Sequence, residues 1–139
     1  MPAPLVAYWT AWNELDLDLV RMQLTAAVED GVVWNDPRDS FTGIAELEAA
    51  VRRLRTSKPD YHLFIASEVD HHHDRYRYRW NMVRGDRVLM EGLDVVTIGT
   101  QSGLIARVDG FFGHPTPVKG RESGVPLTLR AGSPSPSAT

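Results

Sequence analysis

The periodicity of this chain changes once, near Pro59, and that change constrains the fold more than any other feature. Before it, apolar residues recur at helical spacing. Leu5, Tyr8, Trp9 and Trp12 form one set with a broad aromatic face; Leu19, Val20, Met22 and Leu24 form a second; Ile44, Leu47, Val51 and Leu54 form a third. Asp16 or Asp18 can cap the second helix, and Gly43 opens the third, an amphipathic helix running to Arg55. After Pro59 the pattern alternates. It predicts strands over Tyr61 to Val69, Asp74 to Val83, Arg87 to Ile98 and Leu104 to Phe112, with turns at Arg84-Gly85-Asp86 and Gly99 to Gly103. Gly31 interrupts the second helix, and Val32-Val33-Trp34 reads as a short strand. Helices first and an antiparallel meander second make the class α+β.

At 139 residues the chain is one domain, with an apolar fraction of 42% that is ordinary for a globular protein. Beyond Phe112 the composition shifts to Pro115, Pro117, Pro126, Pro134 and Pro136 among Gly and Ser. This divides the chain into a folded domain over 1–114 and an extended or mobile tail over 115–139, in which Val125 to Leu129 can add a short strand, for instance against a partner subunit. A net charge of −3 provides no basic footprint for nucleic acid. Arg52-Arg53-Arg55 reads as a solvated helix face. Without cysteine, no disulfide, zinc-thiolate site or thiol nucleophile can form. No run reaches membrane-spanning length, and Met1-Pro2-Ala3-Pro4 lacks the basic and apolar regions of an export signal, so the expected location is cytoplasmic.

Asp94 is the residue that packing explains least. In strict alternation it shares a face with Met90, Gly92 and Val96, which points it inward. A buried carboxylate must find partners or take up a proton. Gly92 beside it removes a side chain where a ligand can approach. The structural alternative is an ion pair with an arginine such as Arg79. Asp36, in Trp34-Asn35-Asp36-Pro37, is either a turn-former or a base placed at a strand end, and Tyr8 is either core or a phenol facing a cavity. Arg75, Arg77 and Arg79 alternate with Tyr76, Tyr78 and Trp80: either the arginines lie outside, or Arg79 lies inside and binds an anionic group. In the run His71-His72-His73, flanked by Asp70 and Asp74, His71 and His73 would share a strand face and can be drawn as metal ligands. A solvated turn is the preferred reading, and no metal site is expected.

From Leu5 to Phe112 the chain resembles the nuclear-transport-factor-2-like superfamily, in particular SnoaL-like proteins and ketosteroid isomerases. The resemblance is carried by Tyr8 with Asn13 and Asp16-Leu17-Asp18, and by Trp34-Asn35-Asp36-Pro37 with Gly43. Tyr78-Arg79-Trp80, Gly92-Leu93-Asp94-Val95, and Gly103-Leu104-Ile105 leading to Gly110-Phe111-Phe112 complete it. It implies a cone-shaped, cystatin-like fold: a curved antiparallel sheet wrapped around N-terminal helices, with an apolar cavity at the open end, and a homodimer through the outer sheet face. By that resemblance Asp36 matches the isomerases' general base, Tyr8 their oxyanion-hole tyrosine, and Asp94 the acid that donates to the same oxyanion. In SnoaL-like cyclases a single aspartate serves as acid and base, and Asp94 is the position that matches it. The expected lining is Trp9, Trp12, Trp34 and Leu54 from the first half, and Phe64, Arg79, Met90 and Phe112 from the second.

Two departures narrow the implication. The stretch between Tyr8 and Asp36 is longer than in ketosteroid isomerases. Asn81 stands two residues after Arg79, where an epoxide hydrolase of this superfamily needs an aspartate, which disfavours that reaction. The expectation is an isomerase- or cyclase-type enzyme using metal-free acid/base chemistry on a small apolar or carbonyl-containing ligand, with no cofactor. The alternative is a non-catalytic ligand-binding or dimerisation module of the same fold.

Overall fold

A computed structural model describes residues 1–117. The tail reading, including the strand at Val125 to Leu129, lies almost wholly outside the described residues. Three helices, α1 (Ala3–Trp12), α2 (Leu17–Ala27) and α3 (Ile44–Ser57), pack on one face of a curved sheet. The strands are β1 (Val28–Asn35), β2 (Ser40–Thr42), β3 (Tyr61–Ile65), β4 (Asp70–His72), β5 (Arg75–Arg84), β6 (Arg87–Ile98) and β7 (Ile105–Phe112). Their order across the sheet is β2-β1-β7-β6-β5-β3, with β4 paired to the far end of β5. The sheet does not close, and this is the α+β cone that the periodicity and the resemblance predict.

The local reasons are visible in the chain. Asp16 caps α2, its carboxylate accepting the Asp18 N–H at 3.1 Å and so satisfying one of the orphan donors of the first turn. Gly43 precedes α3 at φ +92°, a conformation that a side chain would strain, while its N–H donates to Val32 O at 2.8 Å. The stripe Ile44, Leu47 and Val51 is buried against the sheet. Gly85 at φ +60° allows the two-residue turn that joins β5 to β6.

Four sequence-based expectations need correction. Gly31 does not interrupt a helix: α2 ends at Ala27, and Gly31 lies inside β1, which begins at Val28. The helical Arg52-Arg53-Arg55 run is not uniformly solvated. Arg55 is buried, and its guanidinium donates to the carbonyls of Tyr61 at 2.7 Å and Lys58 at 3.3 Å, tying the end of α3 to the start of β3. The predicted strand from Tyr61 to Val69 ends at Ile65, and a separate short strand, β4, follows. Finally, the sheet is not a pure meander. β1 pairs with β7 in parallel, with Trp34 opposite Val108 and Asn35 opposite Asp109. No local pattern announces that pairing, because the two strands lie some seventy residues apart in a chain whose other pairs are near neighbours.

The parallel pair positions the site. It carries the chain just beyond Asn35 alongside Gly110 of β7, and Gly110 is the register partner of Asp94 on β6. Asp94 in turn faces Tyr78 on β5. One row across the sheet thus contains Asp36, Gly110, Asp94 and Tyr78, beneath the aromatic face of α1.

Candidate active site

A cavity of about 180 Å³ opens between α1 and the concave face of the sheet. All four tryptophans of the chain line it, Trp9 and Trp12 from α1, Trp34 from β1 and Trp80 from β5, together with Tyr8 and Phe112. Leu54, Leu63, Met82 and Met90 complete the apolar wall; the polar groups are Asp36, Arg38, Asp39 and Asp94.

Asp94 is 6% exposed and no cation pairs with it among the described residues. Its Oδ1 accepts the Trp80 indole N–H at 2.9 Å and its Oδ2 accepts the Tyr78 hydroxyl at 3.2 Å. The Tyr78 oxygen in turn accepts the Trp9 indole N–H at 3.1 Å. Burial pushes the Asp94 carboxyl up from its ordinary value of 3.8 to about 7. The two donated hydrogen bonds oppose that rise, and the Asp36 charge adds to it. The carboxyl therefore exchanges its proton near neutral pH, where a group is best placed to serve as both base and acid.

Tyr8 is fully buried, and its oxygen accepts the Trp34 indole N–H at 2.7 Å. Its own proton meets no acceptor among the described residues and is available to a ligand in the cavity. Burial, followed by the nearby Asp94 charge, raises the Tyr8 phenol well above its ordinary range, so it stays protonated as a donor. Burial does the same to Tyr78.

Asp36 is half-buried at the cavity mouth. Its Oδ1 accepts the backbone N–H groups of Arg38 and Asp39, both at 2.8 Å, which is the turn-forming role that Asp-Pro suggests. Its other oxygen makes no hydrogen bond among the described residues, so the turn and cavity readings of Asp36 are both realised. Two glycines make the geometry possible. A Cβ at Gly92 would stand 2.1 Å from the Trp80 ring, so only glycine lets the indole lie across β6 and reach Asp94. A Cβ at Gly110 would stand 3.0 Å from Asp94 Oδ1 and 3.6 Å from Asp36 Cβ, so glycine lets the β7 backbone pass this close to Asp94.

Tyr8, Asp36 and Asp94 therefore face one cavity, with Trp9, Trp12, Trp34, Leu54, Met90 and Phe112 around them. Phe64 and Arg79 do not. Phe64 is 45% exposed on the outer face of β3, beside Met1 and Val6, and Leu63 takes its place in the wall. A one-residue difference in strand parity reverses the face. Arg79 lies outside for the same reason, between the inward Tyr78 and Trp80. Its backbone N–H donates to Ser67 Oγ and its guanidinium to Gly113 O. The Asp94–Arg79 pair does not form; Trp80 and Tyr78 hold the carboxylate instead. Sequence reasoning missed Trp80 as the partner of Asp94, although the alternation that turned Tyr78 inward turned Trp80 inward too. It also missed Arg38 and Asp39, whose turn carries no periodic signal.

The histidine run forms the exposed β4–β5 hairpin, with His73 at φ +52° in the turn and the His71 ring stacked on Tyr76 at 4.3 Å. Among the described residues, no group of three His, Cys, Asp or Glu side chains is arranged to hold a metal ion. No described helix is long and apolar enough to cross a membrane.

No protein-family model and no curated protein matches the chain. Solved structures do. A proposed isomerase of the SnoaL-like family from Agrobacterium tumefaciens is 28% identical with a TM-score of 0.73, over 80% of this chain and 95% of that one. A protein from Sinorhizobium meliloti described as a proposed polyketide cyclase is 17% identical with a TM-score of 0.64, over 79% and 94%. One from Kribbella flavida described as a proposed ketosteroid isomerase is 21% identical with a TM-score of 0.60, over 89% and 86%. With three helices on a curved open sheet, the chain has the fold of these structures, a cystatin-like, nuclear-transport-factor-2-like fold, and its structural neighbours include proteins described as SnoaL-like, ketosteroid isomerase-like and polyketide cyclase-like.

Proposed function

We propose that the cavity is the active site of an isomerase- or cyclase-type enzyme that moves a proton next to a carbonyl group. The observation that carries this reading is the placing of a proton-exchanging carboxyl, Asp94, and a donor phenol, Tyr8, in one cavity walled by aromatic and aliphatic side chains. Asp94 takes the substrate proton and returns it. Because it accepts hydrogen bonds from Trp80 and Tyr78, it is better suited to this role than to donating to an oxyanion. Tyr8 donates to the oxyanion that develops as the proton leaves, in surroundings where such a bond counts for more than in water. Asp36, at the mouth, is the second carboxylate, able to relay a proton outward. These residues can carry out the reaction without a cofactor. The cavity volume restricts the enclosed part of a substrate to about the size of one ring, since a cavity of about 150 Å³ holds benzene.

Homodimerisation through the outer sheet face, where Phe111 is 58% exposed, belongs to the same reading, as do a cytoplasmic location and a tail separate from the cone. The non-catalytic ligand-binding alternative has one observation in its favour: both Asp94 oxygens and one Asp36 oxygen already have partners within the chain.

Solvent-deuterium exchange at the carbon beside the carbonyl, followed by NMR for a panel of small cyclic ketones, separates the two readings. The wild type is expected to accelerate exchange, Asp94→Asn to abolish the acceleration, and Tyr8→Phe to lower it by about 10²-fold. Ligand-induced thermal stabilisation without exchange in the wild type would establish the binding module.

A further inference from the structure

The charge of the cavity lining points to a substrate property that the acid/base reading leaves open. A buried charge is ordinarily paired. The described residues contain two buried charged side chains, Arg55 and Asp94. Arg55 donates to two backbone carbonyls, whereas Asp94 is held by neutral donors and has a cavity on its open side. Asp36 and Asp39 line the same cavity, and neither carboxylate is ion-paired within the described residues. The one basic side chain in the lining, Arg38, is at the exposed mouth, where its guanidinium lies over the Phe112 ring at 5.2 Å and reaches Met90 Sδ. Three carboxylates thus stand against one cation in the lining; Arg38 and Asp39 are exposed at the mouth, Asp36 is half-buried, and Asp94 is the one that is buried. An anionic ligand would meet repulsion at the depth where the dielectric is lowest.

The wall chemistry has the same preference. Indole and phenol rings present negative faces, and cations within about 6 Å of such faces are attracted electrostatically. Three of the four indole N–H groups, those of Trp9, Trp34 and Trp80, are spent on Tyr78, Tyr8 and Asp94. They are therefore not free to donate to an anion in the cavity.

We infer that the ligand of this cavity carries a positively charged nitrogen, a protonated amine or quaternary ammonium group on a body of one ring, seated against the tryptophans between Asp94 and Asp36. The inference rests on the proposed site but concerns the charge of its ligand. In catalysis, such a group beside the carbonyl would also offset the negative charge left when Asp94 removes the proton.

Because every tryptophan lines the cavity, intrinsic fluorescence reports binding directly. The probes are benzylamine, benzyltrimethylammonium, benzyl alcohol and benzoate, titrated into the full chain. The two cations are expected to bind about tenfold tighter than benzyl alcohol, and benzoate weakest. The preference should shrink below the pH at which Asp94 takes up its proton; Asp36, Asp39 and Arg38 also face the cavity, so Asp94→Asn and Asp36→Asn are titrated in parallel. Asp94→Asn should lose the cation preference, its affinity for benzylamine falling to about that for benzyl alcohol. If Asp94→Asn fails to fold, the pH dependence of the wild type decides the matter. Benzyl alcohol or benzoate binding as tightly as the cations overturns the inference, as does failure of all four probes to bind at millimolar concentration. Ketone exchange in the wild type without cation preference would overturn this inference alone. Cation binding without exchange on any carbonyl compound would overturn the enzyme reading and leave this inference standing.

Discussion

Arg55 and Asp94 are equally hidden from water but do opposite things. Arg55 lies in the last turn of α3, where its guanidinium donates to the Lys58 and Tyr61 carbonyls and ties the helix end to the start of β3. Desolvation lowers its pKa, yet an arginine so far from its titration range stays charged. Asp94 faces a cavity, and desolvation brings its carboxyl to about 7, so its charge is undecided near neutral pH. Burial alone therefore does not mark a functional charge. What marks it is burial next to empty space, with a titration range that the conditions cross.

The largest effect should come from removing the undecided charge. Asp94→Asn is expected to lower any proton-transfer turnover by about 10²- to 10⁴-fold. It should also change the pH dependence of stability in a defined direction. The folded protein holds a proton at Asp94 that the unfolded chain releases near 3.8, so the contribution is fully present below that value and is lost as pH rises through about 7. Its size is on the order of 4 kcal/mol. Urea unfolding across this range should show the decline in the wild type and a flatter profile in Asp94→Asn; identical profiles would contradict the assignment. Gly92→Ala comes next. With a Cβ placed inside the Trp80 ring and 2.7 Å from Phe111 O, it should cost about 3 kcal/mol and detach the indole from Asp94. The carboxyl's titration, followed by NMR, should then move up.

Arg55→Met sharpens the contrast from the other side. Taking the guanidinium away from the Tyr61 carbonyl should lower stability by about 1–2 kcal/mol, with the pH profile and the fluorescence response of the cavity unchanged. A shift in the Asp94 titration would show that the two charges communicate. The smallest effect is expected from Phe64→Ser, within about 0.5 kcal/mol and without change in ligand affinity, because the ring lies on the outer face. Lost affinity there would put Phe64 back in the cavity.

Alternation and helical spacing made most of the cone legible, and Asp94 legible as an inward carboxylate, because each depends on which face of one element a residue occupies. Parity was enough to turn Tyr78 and Trp80 inward, and where it was misjudged, as at Phe64 and Arg79, the error was a whole face. Asp36 was harder. Its sequence context reads as a turn, and the turn exists, with Oδ1 holding two backbone N–H groups.

The chain by itself determined the order of helices and strands, the glycine beside Asp94, and the supply of four indoles and the Tyr8 phenol from which a cavity can be walled. Only the tertiary structure decided that Asp36 and Asp94 face each other across Gly110. That meeting depends on the parallel pairing of β1 with β7, and such a pairing is fixed by the closure of long loops and the packing of the helices over the sheet, not by any pattern within either strand.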